Sequence, residues 1–237
     1  MMRLAVPPDS PPGQDLEKLP ALAVLPGLTT AAYYLLPPRL QAVTAIQFLP
    51  QMTAYLAFIL WISFNHGIIP RLGLERGRLK QGLQWGLGAG LVLGICNSWV
   101  ILEVAPRLGH DIEFLAQTPH AQLPVVLMLP WTIVLIAIFV ELNFRGFQLG
   151  RWLVLCGSAR LPFMRHTGPA LAIGASSFLF AFDPFMVATF KHLHWIAMWD
   201  GIVWGTLWVR LRNLYATMCA HAVEVIIMYS VVRHSLT

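Results

Sequence analysis

Residues 82–105 read GLQWGLGAGLVLGICNSWVILEVA, and this stretch decides the fold class. It is apolar over nearly its whole length, and Glu103, near its end, is its one charged residue. An α-helix needs about 20 mainly apolar residues to cross the hydrocarbon core of a bilayer. The stretch therefore predicts a membrane-spanning helix.

Most of the remaining chain is divided into similar apolar runs. Because these runs are continuous and lack alternating polarity, they indicate helices and not a β-barrel. The run 19–36 contains Pro20 and Pro26, so whether it spans the bilayer stays open. The run 169–190 should break at Asp183-Pro184. Together with 82–105, the runs are 19–36, 45–64, 123–149, 169–190, 195–209 and 214–232.

The runs predict an all-α polytopic transmembrane bundle of about six or seven helices. We expect one helical domain over residues 19–237. Residues 1–18 are rich in proline and lack the unbroken apolar core of a cleavable signal peptide, so we expect a flexible lead-in there.

The composition supports a membrane protein and excludes other classes. Hydrophobic residues make up 57% of the chain and charged residues only 11%, whereas soluble domains carry about 25% charged residues. Lipid must therefore be the solvent for much of the surface. The net charge of +5 comes from short clusters and not from the continuous basic stripe of a nucleic-acid-binding face. We expect membrane lipids as partners and no nucleic acid.

We predict no cofactor and no metal. The spacing of His192 and His194 would suit a metal on an extended segment. A loop at the membrane interface is the commoner reason for such a pair, and this is the interpretation we adopt.

Lys and Arg residues cluster in three of the loops between the apolar runs. The number of predicted spans between these loops places all three on the same side of the membrane. The positive-inside rule makes this side cytoplasmic. The opposite loop, 106–122, carries Asp111 and Glu113. We therefore expect an integral protein of a bacterial inner or plasma membrane with cytoplasmic basic loops. The clusters are Arg71, Arg76, Arg78 and Lys80; Arg151, Arg160 and Arg165; and Arg210 and Arg212.

Glycines recur at every fourth position in the first half of the opening stretch. Gly82, Gly86, Gly90 and Gly94 share one helix face, and small residues on a face let another helix approach closely. Helix packing is the interpretation we adopt. The same face would serve as a contact if the protein were a scaffolding subunit of a larger membrane complex.

A few ionisable residues interrupt the predicted spans, and they are candidates for function because charges are costly inside a membrane. Glu141 and Arg145 are four residues apart, so they share a helix face and could pair. His221 and Glu224 are three apart and share another face, and Glu224 could line the same cavity or pair with Arg145. The set is Glu141, Arg145, Asp183, His221 and Glu224, with Asn97 as a neutral companion.

Depth in the membrane links Glu141 with His221. At a helix rise of about 1.5 Å per residue, Glu141 and His221 each lie roughly 12 Å below the cytoplasmic surface. A carboxylate and an imidazole could therefore meet in one cavity open to the cytoplasm. There Glu141 could deprotonate a water molecule, and His221 could donate to a developing oxyanion.

Three segments in this part of the chain carry recurring patterns: VELNFRGF (140–147), SSFLFAFDPF (176–185) and GTLWVRLRNLYATMCAHAVEV (205–225). In order, they resemble the EExxxRG, FxxxH and HxxxN/D motifs of the CAAX prenyl protease and bacteriocin-processing (CPBP) family of intramembrane proteases. Phe180 and His221 stand at the motif Phe and His. The resemblance covers about residues 72–229 and implies a CAAX-protease-like bundle that cuts peptide bonds near the cytoplasmic face.

Three motif positions depart from the family pattern. Val140 stands at the first glutamate, Pro184 at the second-motif His and Val225 at the Asn/Asp. The resemblance therefore implies either a glutamate-dependent peptidase or a pseudoprotease that keeps a cavity for peptide or lipidated segments. Asp183 and Glu224 each lie one residue before a lost position and could compensate for it.

As an enzyme, the protein would use Glu141 as general base and His221 as oxyanion donor. Arg145 would hold Glu141 in place. The alternative from another class is a non-enzymatic scaffolding subunit with membrane protein partners.

Overall fold

The computed structural model describes residues 17–158 and 163–236, without the side chains of Pro119, Pro130 and Arg165. Most of the predicted lead-in and Arg160 lie outside this range. The main helices are α1 (Leu25–Tyr34), α2 (Leu49–Phe64), α3 (Leu79–Trp99), α4 (Ile133–Ser158), α5 (Met164–Ala181), α6 (Pro184–Phe190), α7 (Ile196–Leu211) and α8 (Leu214–Leu236).

Shorter helical turns connect these helices. The described residues contain no β-strand, which confirms the predicted all-α bundle. The 3-10 turns are Pro20–Val24, Arg76–Arg78, Glu113–Gln117 and Lys191–Leu193; the α-helical turns are Pro38–Gln41, Thr44–Gln47, Ile68–Leu72, Ala105–Arg107, Pro119–Gln122 and Val125–Leu127; the π-helical turns are Val100–Val104 and Met128–Thr132.

Three helical stretches of the described chain are long and apolar enough to cross a membrane: Ile68–Arg107, Ile133–Ser158 and Leu214–Leu236. The pair α5 and α6, bent by 54°, would add a fourth span. Helices α1, α2 and α7 have only 10, 16 and 16 residues. The structure therefore gives three or four spanning candidates, where the sequence predicted six or seven crossings.

Helix α4 is shifted relative to the predicted span 123–149. Leu129 has an extended backbone, with φ −105° and ψ 129°, because a residue that precedes a proline disfavours the helical conformation. The continuous helix therefore begins at Ile133 and runs to Ser158. Arg151, which was expected where the chain leaves the membrane, is only 3% exposed.

Arg151 is buried because the N-terminal segment covers it. Its Nε contacts Glu17 Oε1, and Oε2 of the same carboxylate accepts a hydrogen bond from Arg71 Nη1 at 3.1 Å. The Arg151 guanidinium carbon also lies 4.1 Å from the ring centroid of Trp61. Glu17 therefore ties the end of α2, the loop before α3 and helix α4 together.

Helices α3 and α8 pack closely along the glycine repeat. A Cβ added at Gly86 would lie 2.5 Å from the carbonyl oxygen of Ala216, and one added at Gly90 would lie 2.5 Å from that of Ala220. Only glycine therefore allows this backbone approach. The glycine face is covered by α8 of the same chain and is not open to a partner subunit.

Helices α5 and α6 meet at the break predicted at Asp183-Pro184. Asp183 Oδ1 accepts hydrogen bonds from the backbone N–H groups of Phe185, at 3.1 Å, and Met186, at 3.3 Å. A side-chain cap followed by proline at the first position favours the start of a helix. The chain therefore begins a new helix here, with its axis turned by 54°.

Candidate active site

Glu141 lies at the centre of a buried polar cluster between α4 and α8. Its Oε1 is 3.1 Å from Nη1 of Arg145 on the same helix and 3.1 Å from Nδ1 of His221 on α8. Glu141 and Arg145 are fully buried, and His221 is 6% exposed. Because an ionised carboxylate only accepts hydrogen bonds, this contact assigns a proton to His221 Nδ1.

A widened helical segment follows Glu141 and orients the next functional side chain. Residues Leu142–Leu149 are π-helical, and π-helical turns often occur at functional sites. Side chains five residues apart meet here, since Gln148 Nε2 donates to Asn143 Oδ1 at 2.9 Å. Within this segment Arg145 faces α5 and α7, while Glu141 faces α8.

Aromatic rings of α5 and α7 enclose Arg145 and His221. The guanidinium carbon lies 4.7 Å from the ring centroid of Phe180 and 4.9 Å from that of Trp204, which are cation–π distances. The Trp204 ring also stacks on the His221 ring, with centroids 4.4 Å apart and planes at 20°. Four helix segments thus contribute side chains to one enclosed cluster.

Several polar atoms of the cluster have no hydrogen-bond partner among the described residues. They are Glu141 Oε2, Arg145 Nε, Arg145 Nη2 and Trp204 Nε1. Buried polar groups are nearly always hydrogen-bonded. One free acceptor beside free donors can therefore bind a water molecule together with a carbonyl oxygen.

A second polar group adjoins the first and is centred on Asn97 of α3. The Asn97 Nδ2 atom lies 2.7 Å from Glu224 Oε1 and 3.0 Å from Asp200 Oδ1. The Asn97 Oδ1 atom accepts a hydrogen bond from Trp199 Nε1 at 2.9 Å. Of the two alternatives for Glu224, the structure gives it a place in a polar group and not an ion pair with Arg145.

Asp200 is a buried acid that was not among the candidate residues predicted from the sequence. It is an acid within the apolar run 195–209 and is 4% exposed. The cost of a charge at such a position was the signal that could have found it. Its contact with Asn97 joins residues 103 positions apart, which no local pattern predicts.

Asp183 does not join either polar group, so no contact in the structure supports the alternative that it compensates for the lost second-motif His. Its Oδ1 atom is occupied by the cap of α6 and by Gln51 Nε2 of α2, at 2.9 Å. With Asn143 and Gln148 it lines a separate cavity of about 10 Å³, which has room for one water molecule.

The cluster around Glu141 is enclosed, where the sequence predicted a cavity open to the cytoplasm. Glu141 is 0% exposed. The expectation failed because Phe180 of α5 and Trp204 of α7 pack over Arg145 and His221.

Comparison with protein families gives one match over this region. Residues 122–227 match the family model described as type II CAAX prenyl endopeptidase Rce1-like, and the matched range contains Glu141, Arg145, Phe180 and His221. Neither the curated proteins nor the solved structures contain a match to the chain. The apolar helices therefore indicate an integral membrane protein, and residues 122–227 are similar to the Rce1-like domain of the CPBP family.

Proposed function

We propose that this protein is a glutamate-dependent intramembrane endopeptidase with Glu141 as general base. The observation that carries the proposal is the 3.1 Å contact between Glu141 Oε1 and His221 Nδ1, which joins helices 80 residues apart in the sequence. A simple ion pair between helices would require neither the imidazole nor a free carboxylate oxygen beside it.

Glu141 has one oxygen fixed and one oxygen free. Oε1 is held by Arg145 and His221, which sets the plane of the carboxylate. Oε2 has no partner among the described residues and can accept a proton from a water molecule as the water oxygen attacks a peptide carbonyl carbon. Arg145 acts in this reaction by positioning Glu141.

His221 can stabilise the negative charge that develops on the carbonyl oxygen. Its Nδ1–H donates to Glu141, so Nε2 is the nitrogen left for substrate. When the ring carries both protons, Nε2–H donates to the oxyanion. The Nε and Nη2 atoms of Arg145, which have no hydrogen-bond partner among the described residues, offer further donors in the same cluster.

We infer that the substrate is a peptide with a prenylated C-terminal CAAX sequence, because the matching family model is named for endopeptidases of this class. The apolar surroundings of the cluster suit a lipidated segment that approaches through the membrane. We also propose that the protein lies in a bacterial inner or plasma membrane, with its basic loops in the cytoplasm.

A pseudoprotease is the second candidate, and two observations favour it. Val140, Pro184 and Val225 occupy motif positions where the family has polar residues, and Glu141 is fully enclosed. Such a protein would bind the lipidated peptide without cutting it. A scaffold that uses the glycine face gains no support, because α8 covers that face.

Cleavage and binding of one probe separate these candidates. The purified full-length protein is placed in proteoliposomes with a quenched fluorescent CAAX peptide that carries a farnesyl group. Wild type is compared with Glu141→Gln and His221→Ala, and with Glu103→Gln as a control that removes a half-exposed carboxylate.

The peptidase proposal predicts cleavage by wild type and by Glu103→Gln, and no cleavage by either site variant. Binding of the probe without cleavage by wild type would favour the pseudoprotease. Cleavage that continues in both site variants would refute the assignment of Glu141 and His221.

A further inference from the structure

Asn97, Asp200 and Glu224 form a polar contact between α3, α7 and α8 that the proposed reaction does not yet use. Their exposed fractions are 0%, 4% and 1%. Glu224 also has an oxygen, Oε2, without a hydrogen-bond partner among the described residues. A contact so deeply buried is costly unless its groups are neutralised.

The indole of Trp199 fixes the orientation of the Asn97 amide. An indole N–H can only donate, so the amide atom 2.9 Å from it is the oxygen Oδ1. The Nδ2 group therefore points to the carboxyl groups, with Glu224 Oε1 at 2.7 Å and Asp200 Oδ1 at 3.0 Å. One amide thus holds two carboxyl groups side by side.

The nearby cation does not neutralise both acids. Arg145 interacts electrostatically with Glu141, Asp200 and Glu224, but its hydrogen bond goes to Glu141. Three ionised carboxylates against one guanidinium would leave an excess of negative charge in the membrane interior. Two carboxyl groups held this close reduce that excess by sharing one proton.

A metal ion would fit this contact less well than a proton. The Nδ2 group of Asn97 donates to both carboxyl groups, so its hydrogens lie where a bound cation would have to be. Among the described residues, no group of three or more His, Cys, Asp or Glu side chains has the geometry to hold a metal.

We propose that Asp200 and Glu224 share one proton and form a proton-holding pair for the Glu141–His221 centre, with Asn97 as the residue that positions both. The use of this proton in catalysis rests on the proposed peptidase function. Glu224 lies one turn after His221 on α8, and Arg145, which donates to Glu141, also interacts electrostatically with Asp200 and Glu224, so the pair adjoins this centre.

The pair completes the proton transfers of peptide hydrolysis. Water forms a bond from its oxygen to the carbonyl carbon, gives one proton to Glu141, and the carbonyl electron pair moves to oxygen. The electron pair on the oxygen re-forms the C=O bond as the C–N bond breaks. The leaving nitrogen takes the bonding electrons and the proton that Asp200 and Glu224 share. The proton on Glu141 then returns to the pair.

Infrared spectroscopy tests the proton directly, without substrate. Full-length protein in lipid nanodiscs is measured at pH 7, and the Asp200→Asn/Glu224→Gln double variant is subtracted from wild type. We expect the difference to contain the C=O band of a protonated carboxylic acid, which shifts in D₂O. Glu103→Gln should keep this band.

Each single substitution provides a second measurement in case the double variant does not fold. Asp200→Asn and Glu224→Gln keep the shape of the side chain and should each shift or abolish the band. The absence of a protonated band in wild type, or an unchanged band in the variants, would overturn the proposal.

Cleavage of the farnesylated probe tests the use of the proton. The double variant should lose about 100-fold or more in kcat with little change in KM. Its activity should also decline less at high pH than that of wild type, since part of the wild-type decline reports the pair giving up its proton. Glu141, Arg145 and His221 are the other titratable groups that face the pair and remain in the variant.

A loss of equal size at every pH would assign the pair a structural role and overturn its use in catalysis. If wild type does not cleave the probe, the proposed peptidase function fails. The infrared measurement then still decides whether the pair holds a proton.

Discussion

Arg145 shows how much of the site depends on the shape of a single side chain. Its guanidinium is fully buried, donates to Glu141 and packs between the rings of Phe180 and Trp204. A planar fork can pair with a carboxylate and stack on aromatic faces at the same time, which a lysine ammonium cannot do.

We expect Arg145→Lys to lower stability although it keeps the positive charge. Loss of two cation–π contacts and of the fixed N–H geometry should lower Tm by about 5 °C or more. Thermal unfolding in nanodiscs measures this change. Arg107→Lys, at a side chain that is 72% exposed, is the matched control, and an equal shift in the two variants would contradict the packing role.

Residue patterns in the sequence predicted part of this site. The depth of each residue in the membrane suggested that Glu141 and His221 could meet, because each depth is set by the geometry of the helix that carries the residue. The cap formed by Asp183 was also predicted. Asp200 was missed, because its partner Asn97 lies on another helix. The sequence alone does not specify that partner.

Among the helices, α3 and α8 make the closest approach, and the glycine repeat offers an internal control for it. Gly86 meets the backbone of Ala216, whereas a Cβ added at Gly88 would meet no atom within 4 Å. We expect Gly86→Ala to push the helices apart and lower Tm. Gly88→Ala should leave Tm unchanged or raise it, since alanine favours a helix. Equal effects of the two changes would contradict the packing.

The N-terminal segment is expected to stabilise helix α4 through the contact of Glu17 with Arg151. Glu17 is 7% exposed at its side chain and contacts Arg151, which is also buried. Replacement of one partner of a buried ion pair costs about 3–5 kcal/mol. Glu17→Gln should therefore lower Tm clearly, while Glu75→Gln, at a half-exposed pair, should change it little. A small effect of Glu17→Gln would show that this segment does not stabilise α4.

The bounds of the helices were predicted where local chemistry sets them. The break at Asp183-Pro184 follows from a cap and a proline, and both are visible in the sequence. The delayed start of α4 follows from Leu129 before a proline, but the burial of Arg151 near the end of α4 involves its contact with Glu17. A contact between residues so far apart carries no local signal.

For the whole molecule, the number of crossings and their direction remain predictions that chemical labelling can test. Single cysteines at Arg78→Cys and Glu113→Cys, in a background without Cys96, Cys156 and Cys219, are exposed to a membrane-impermeant maleimide. The positive-inside rule predicts labelling of position 113 in intact cells and of position 78 only after permeabilisation. The reverse pattern would invert the proposed topology.

The turnover of the farnesylated probe by Glu141→Gln is the most direct test of the proposed function. The amide keeps the shape of the side chain but cannot take a proton from water. If Glu141 is the general base, kcat should fall about 100-fold or more relative to wild type, while the probe still binds. Turnover by Glu141→Gln within about threefold of wild type, a small loss on the scale of general-base catalysis, would contradict this role.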